Sequence, residues 1–159
     1  MITKNYIAKG EGANRFEKVP VRIYENPSEA VKAVAREIAD LIRTNADKSE
    51  KCVLGLATGS SPIKLYEELV RMHREEGLSF KNVVSFNLDE YLPMPKESEQ
   101  SYHYFMHHHL FDHIDIDPKN IHIPDGTLKA EEIENFCKEY ERQIEAAGGI
   151  DIQVLGIGR

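Results

Sequence analysis

Two short stretches of this chain combine residue types that do chemistry. The first is Thr58-Gly59-Ser60-Ser61-Pro62. Gly59 lets the backbone approach a ligand closely, and the hydroxyls of Thr58, Ser60 and Ser61 can donate hydrogen bonds. Pro62 suits the start of a helix, whose N-terminus favours an anion. A phosphate is the natural guest. The competing reading is an ordinary strand-to-helix turn with a serine cap, which this stretch taken alone slightly favours. It is not a nucleotide P-loop, because neither G-x-x-x-x-G-K-[ST] nor G-x-G-x-x-G occurs there. The second stretch is Asn87-Leu88-Asp89-Glu90-Tyr91. Adjacent acids after an apolar run suggest that one of them points into a crevice, where a partly desolvated carboxylate serves as general base for a C–H proton. The spacing does not choose between Asp89 and a role for Glu90 as a second acid. A solvated acidic pair is the alternative in a chain with 27 acidic residues.

Other clusters carry weaker chemistry. His103, His107, His108, His109 and His113 are spaced by helical turns but spread round a helix, and no H-E-x-x-H occurs. A solvated helix with one histidine at the edge of the core is expected, and no metal. Asp112, Asp115 and Asp117 lack the glycine and the final glutamate of a calcium loop. Gly156-Ile157-Gly158 offers one further anion-binding turn.

The elements around these stretches must hold them. Cys52 to Ala57 is an apolar run expected of a parallel strand buried on both faces. After Pro62, Ile63, Tyr66, Leu69, Val70 and His73 recur at helical spacing, and Gly77 closes that helix. Val83 to Leu88 is a second apolar strand. Pro93 and Pro95 keep Tyr91 to Gln100 from being helical throughout. A helix follows over 101–113, with Tyr102, Phe105, Met106, His109 and Leu110 on one side. A short strand at Ile121 to Ile123, a helix over 129–147 and a strand over 150–155 complete the order. Upstream, Val19, Val21 and Ile23 alternate as in a strand. Asn26 and Pro27 then start a helix running to Arg43, with Glu29 placed to reach back to the cap amide. Its core face is read from Val31, Val34, Ile38, Leu41 and Ile42. Alternation of strands and helices predicts an α/β fold: three layers, with a largely parallel sheet flanked by helices. Ligands bind beyond the carboxyl ends of such strands, where both stretches fall.

The 159 residues, 41% hydrophobic, fit one domain. Residues 1–19 are too poor in apolar side chains to order readily and are expected to form an extended arm, leaving 20–159 as the domain. A formal charge of -7 argues against nucleic acid and anionic lipid as partners. Two cysteines make no disulfide framework, which favours a cytoplasmic setting. No run of ~18 apolar residues and no apolar leader region is present, so a membrane is not an expected partner.

Together, LGLATGSSPIKLYEEL, SFNLDEYLPMPKESEQSYHYFM and the ending DIQVLGIG resemble the glucosamine-6-phosphate deaminases over roughly residues 20 to 159. N-L-D-E-Y followed by S-Y-x-x-F-M is distinctive, and the 6-phosphogluconolactonases, which share the fold, are expected to differ there. The resemblance implies a deaminase/phosphosugar-isomerase fold and conversion of glucosamine 6-phosphate and water to fructose 6-phosphate and ammonia, with no organic cofactor. It implies that Asp89 moves a proton between C2 and C1 of the opened sugar. It also implies that Thr58, Gly59, Ser60 and Ser61 hold the substrate phosphate.

The family continues past its Gly-x-Gly strand end into a stretch of the type G-H-I-x-F-N-E-P, which assists ring opening. The resemblance therefore covers the N-terminal part of such an enzyme. A chain ending at Arg159 is expected to have an incomplete sheet and little activity by itself. A sheet edge left open would invite association, a homo-oligomer among the outcomes. Two alternatives remain: a lactonase or other phosphosugar enzyme of the same fold, and a non-catalytic module that binds sugar phosphates.

Overall fold

A computed structural model of the chain describes residues 21–156. The arm expected over 1–19 lies outside the described residues, as do Ile157, Gly158 and Arg159. Four helices and four strands alternate: α1 (Pro27–Asp47), β1 (Cys52–Leu56), α2 (Ile63–Glu76), β2 (Val83–Asn87), α3 (Tyr102–His109), β3 (Ile121–His122), α4 (Ala130–Ala146) and β4 (Ile152–Gln153). All strand pairs are parallel, in the order β3-β2-β1-β4.

Every residue of β1 and β2 is buried, as their continuous apolar character requires. Side chains alternate across the sheet. Cys52, Leu54 and Leu56 enter a large core with Ile38 and Ile42 of α1, Tyr66 and Leu69 of α2, and Met106 of α3. Val53, Val84 and Phe86 face the other way, against Tyr140 and Ile144 of α4. Helices therefore cover both faces, giving three layers. The covering by α4 is thin, since none of its side chains is fully buried. Burial pushes the Cys52 thiol up to about 12, with the charge of Asp151 adding to the rise. The group is a packing element, not a nucleophile.

Local signals explain the helix ends. Asn26 accepts a hydrogen bond from the Glu29 amide at 3.0 Å and Pro27 opens α1. Gly77, at φ 68°, ends α2 in the left-handed conformation.

Several expectations are corrected. Residues 21–24 form no strand, and Val21 and Ile23 are exposed. The buried stripe of α1 runs through Ala35, Ile38, Ala39 and Ile42, whereas Val34 is 40% exposed. Small alanines let the helix lie close to the sheet, which turns the valine outward. α3 ends at His109 because Leu110 leaves helical geometry, and a 3-10 turn covers Phe111–His113. The last two strands are shorter than expected, two residues each.

Candidate functional site

β1 to β2 to β3 runs outward in one direction, while α4 returns the chain to the opposite edge of β1. The sheet thus reverses direction beside the carboxyl end of β1, the point where open α/β sheets bind ligands. A cleft of about 490 Å³ occupies that place. It is lined by Ala57 to Ser61 after β1, Leu88 and Asp89 after β2, Tyr102 at the start of α3, and Leu155 and Gly156 after β4. Its size suits a small metabolite.

The loop after β1 is held from behind. The buried Tyr66 hydroxyl donates to the Ala57 carbonyl, and burial pushes that phenol up despite the bond. Gly59 adopts φ 99°, a left-handed conformation that costs other residues strain. Pro62 precedes α2, and no side chain caps this helix. The serine cap of the ordinary-turn reading is therefore not formed. Gly59, Ser60 and Ser61 are exposed to the cleft, and the first-turn amides of α2 face an uncapped terminus. Such a terminus binds anions through amide dipoles, without a cationic side chain.

At the end of β2 the two acids part company. Asp89 lines the cleft, where burial first and the charge of Glu90 second hold its carboxyl above the usual range. Glu90 does not line it. One of its carboxylate oxygens accepts the amides of Tyr91 and Tyr102, and the other accepts that of His103, each at 2.9 Å. The Glu90 carboxylate is thus bound to the first amides of α3, a stable place for negative charge. A carboxyl held above its normal range and open to a cleft, like that of Asp89, suits proton abstraction.

Unlike Phe105, Met106 and Leu110, which share its side of the helical period and pack in the core, Tyr102 is half-buried and forms a wall of the cleft, its ring 4.7 Å from that of Tyr91. The neighbouring Tyr91 hydroxyl and burial raise its hydroxyl pKa, with Thr58 opposing and the charge of Asp89 adding to the rise. A sequence signal existed: an aromatic in the first turn after the N-cap Ser101, which accepts the Tyr104 amide at 2.9 Å. Gly156 also reaches the cleft, beside Leu155.

The remaining clusters are engaged locally. The rings of His103 and His107 stack at 4.6 Å, and His107 Nδ1 lies 2.8 Å from Asp112. Asp115 accepts the Phe80 amide at 2.6 Å and the Ser79 hydroxyl at 2.8 Å, and Asp117 accepts the Lys119 amide. Among the described residues no group of three His, Cys, Asp or Glu side chains is placed to hold a metal ion.

Comparison with known proteins bears on this geometry. The pattern of the family described as glucosamine-6-phosphate isomerases/6-phosphogluconolactonase matches residues 25–159. A glucosamine-6-phosphate deaminase of Thermoanaerobacter is 46% identical over 125 residues, covering 79% of this chain and 49% of that protein. The solved structure of a monomeric glucosamine-6-phosphate deaminase superposes with a TM-score of 0.77 at 39% identity, over 85% of this chain and 54% of that one. A 6-phosphogluconolactonase from Thermotoga maritima superposes at 0.65 with 28% identity, over 80% and 56%. This chain spans about half the length of such curated relatives.

Proposed function

Because the chain belongs to the glucosamine-6-phosphate isomerase/6-phosphogluconolactonase family, we propose that its cleft grips a phosphosugar and carries the proton-transfer step of aminosugar deamination. The substrate is glucosamine 6-phosphate, and the products are fructose 6-phosphate and ammonia. One observation carries this reading: the uncapped, hydroxyl-rich loop Thr58 to Ser61 and the carboxyl of Asp89 line the same cleft.

The phosphate sits on the amides and hydroxyls at the start of α2, with no cation among the described side chains lining the cleft. The sugar then extends toward Asp89, whose carboxylate takes the C2 proton of the open-chain aldose. Returning that proton to C1, while an N–H proton of the amine passes to O1, leaves an imine at C2. Water adds there and ammonia departs, so the net change is one water consumed and one ammonia released. Asp89 supplies the only carboxyl among the described lining residues, and holding C2 against it accounts for much of the rate.

Lactone hydrolysis is the second reading, since the family description includes it. Identity to the solved deaminase exceeds that to the solved lactonase, 39% against 28%, which favours deamination. The acidic balance of the chain fits a small-molecule partner in the cytoplasm better than nucleic acid. Among the described residues no helix is long and apolar enough to cross a membrane. The outer edge of β4 has no strand beside it among the described residues, which suits a homo-oligomeric contact.

The test uses fructose 6-phosphate with ammonium in deuterated water, following deuterium entry at C1 by NMR. Asp89→Asn should bind the sugar within about threefold of the parent while exchange falls ~100-fold or more. Exchange that persists in Asp89→Asn removes Asp89 from the proton transfer. Absence of any sugar-phosphate binding to the parent chain refutes the reading of the cleft.

A further inference from the structure

We propose that Tyr102 is a further substrate-contacting residue of this cleft, and that Glu90 is its positioning residue, tying the start of α3 to the end of β2. The contact with substrate rests on the reading of the cleft given above; the tie between Glu90 and α3 does not.

The geometry is specific. Tyr102 lines the cleft together with the Thr58 to Ser61 loop and Asp89. Its ring lies 4.7 Å from that of Tyr91, and its hydroxyl is near enough to Thr58 and Asp89 for both to influence its ionisation. It thus lies between the group assigned to phosphate and the group assigned to proton transfer, the span a bound sugar must cross. A phenol is protonated at neutral pH and can donate a hydrogen bond to a phosphate or sugar oxygen.

Nothing in α3 alone fixes the ring there, because this helix is short, with Met106 its one buried residue. Glu90 supplies the restraint. Its oxygens take the amides of Tyr102 and His103, the first two of α3, and the adjacent Tyr91 amide. Charge-assisted bonds of this kind are about twice as strong as neutral ones. Ser101 adds a second anchor, accepting the Tyr104 amide and donating to the Lys96 carbonyl at 3.0 Å. A glutamate next to the catalytic candidate is therefore a clamp on the opposite wall of the same cleft.

Two variants test this. Glu90→Gln removes the charge and one acceptor oxygen. In the unliganded chain, NMR titration of tyrosine rings should show the Tyr102 hydroxyl returning toward its ordinary range, while Tyr66 and Tyr140, anchored elsewhere, keep their raised values. An unmoved Tyr102 titration overturns the clamp. Tyr102→Phe keeps the ring and removes the donor, and should weaken fructose 6-phosphate binding about tenfold in calorimetry with little change in thermal stability. Equal affinity overturns the contact. Should Glu90→Gln fail to fold, Tyr102→Phe still decides the contact, and Glu90→Asp, which keeps the charge on a shorter arm, carries the titration in its place. A parent chain that binds no sugar phosphate overturns the contact together with the reading of the cleft, and the tyrosine titration still decides the clamp.

Discussion

Asp89 and Glu90 share a peptide bond, yet Asp89 opens onto the cleft while Glu90 is bound by three backbone amides. The arrangement places a fixed negative charge beside a carboxyl already disfavoured as an anion by its surroundings. A neighbour of like sign is one of the ordinary means of preparing a carboxylate to accept a proton. Here the same charge also holds a helix.

The sign of the Asp89 shift gives a stability prediction. Its folded pKa lies above the ordinary 3.8, so ionisation is less favourable in the folded chain than in the unfolded one. The group favours the fold below that value and loses its contribution as pH rises through the folded pKa. Asp89→Asn should therefore melt at a higher temperature than the parent at pH 7, with the gain fading near pH 3. Differential scanning calorimetry at the two pH values checks this; a lower melting temperature at pH 7 contradicts it.

Asp115 behaves in the opposite sense. Burial alone would raise its carboxyl, but the bonds from the Phe80 amide and the Ser79 hydroxyl, helped by His73, hold it below 3.8. Its contribution is present above that value and lost as pH falls through the folded pKa. Asp115→Ala should cost about 2–3 kcal/mol at neutral pH, as expected for bonds to a charged group. Urea unfolding at pH 7 and near pH 3 should show the gap between variant and parent narrowing in acid.

Gly59 should resist substitution for a backbone reason. Its φ of 99° is strained for any residue with a Cβ, although no atom lies within 4 Å of where that carbon would sit. Gly59→Ala should cost about 1–2 kcal/mol, or reshape the loop. Sugar-phosphate affinity measured by calorimetry should fall in the same variant. Unchanged stability and affinity would show that the loop conformation is not needed.

Gly126 is constrained by contact instead. A Cβ there would lie 2.5 Å from the carbonyl oxygens of both Tyr91 and Met94, and the Met94 amide donates to the Gly126 carbonyl at 2.6 Å. Backbone cannot give way as a side-chain tip does, so Gly126→Ala should lose about 1–3 kcal/mol in denaturant unfolding. Because the displaced segment carries Tyr91, the Tyr102 titration should shift as well.

Ser85 offers a gain. It is fully buried on β2, and its hydroxyl has no partner among the described residues. Removing an unpaired buried hydroxyl should stabilise the chain by about 1 kcal/mol. Chemical unfolding of Ser85→Ala tests this, and a loss of stability would mean that the hydroxyl is paired.

Where the sequence was informative, local chemistry decided the outcome. The Asn26 cap, Pro27, the Gly77 stop and the two apolar central strands depend on neighbours in the chain, and each lies where expected. What depended on distant partners was not readable. The choice between the adjacent acids is made by α3, whose amides reach Glu90 from twelve residues further on. The inward face of α1 is set by Ala35 and Ala39, which a search for large apolar side chains passes over. Helical periodicity groups Tyr102 with Phe105 and Met106 because it ignores where a helix starts.

The strand order has a kinetic consequence. β4 pairs with β1 although most of the described chain separates them, while β2 and β3 join through shorter excursions. Long closures are entropically the most expensive to make and form slowly. The rim supplied by Leu155 and Gly156 is thus expected to be the last part assembled. A sugar phosphate bound across that rim would then act as a latch, selecting molecules that have finished folding and slowing the release of their final strand.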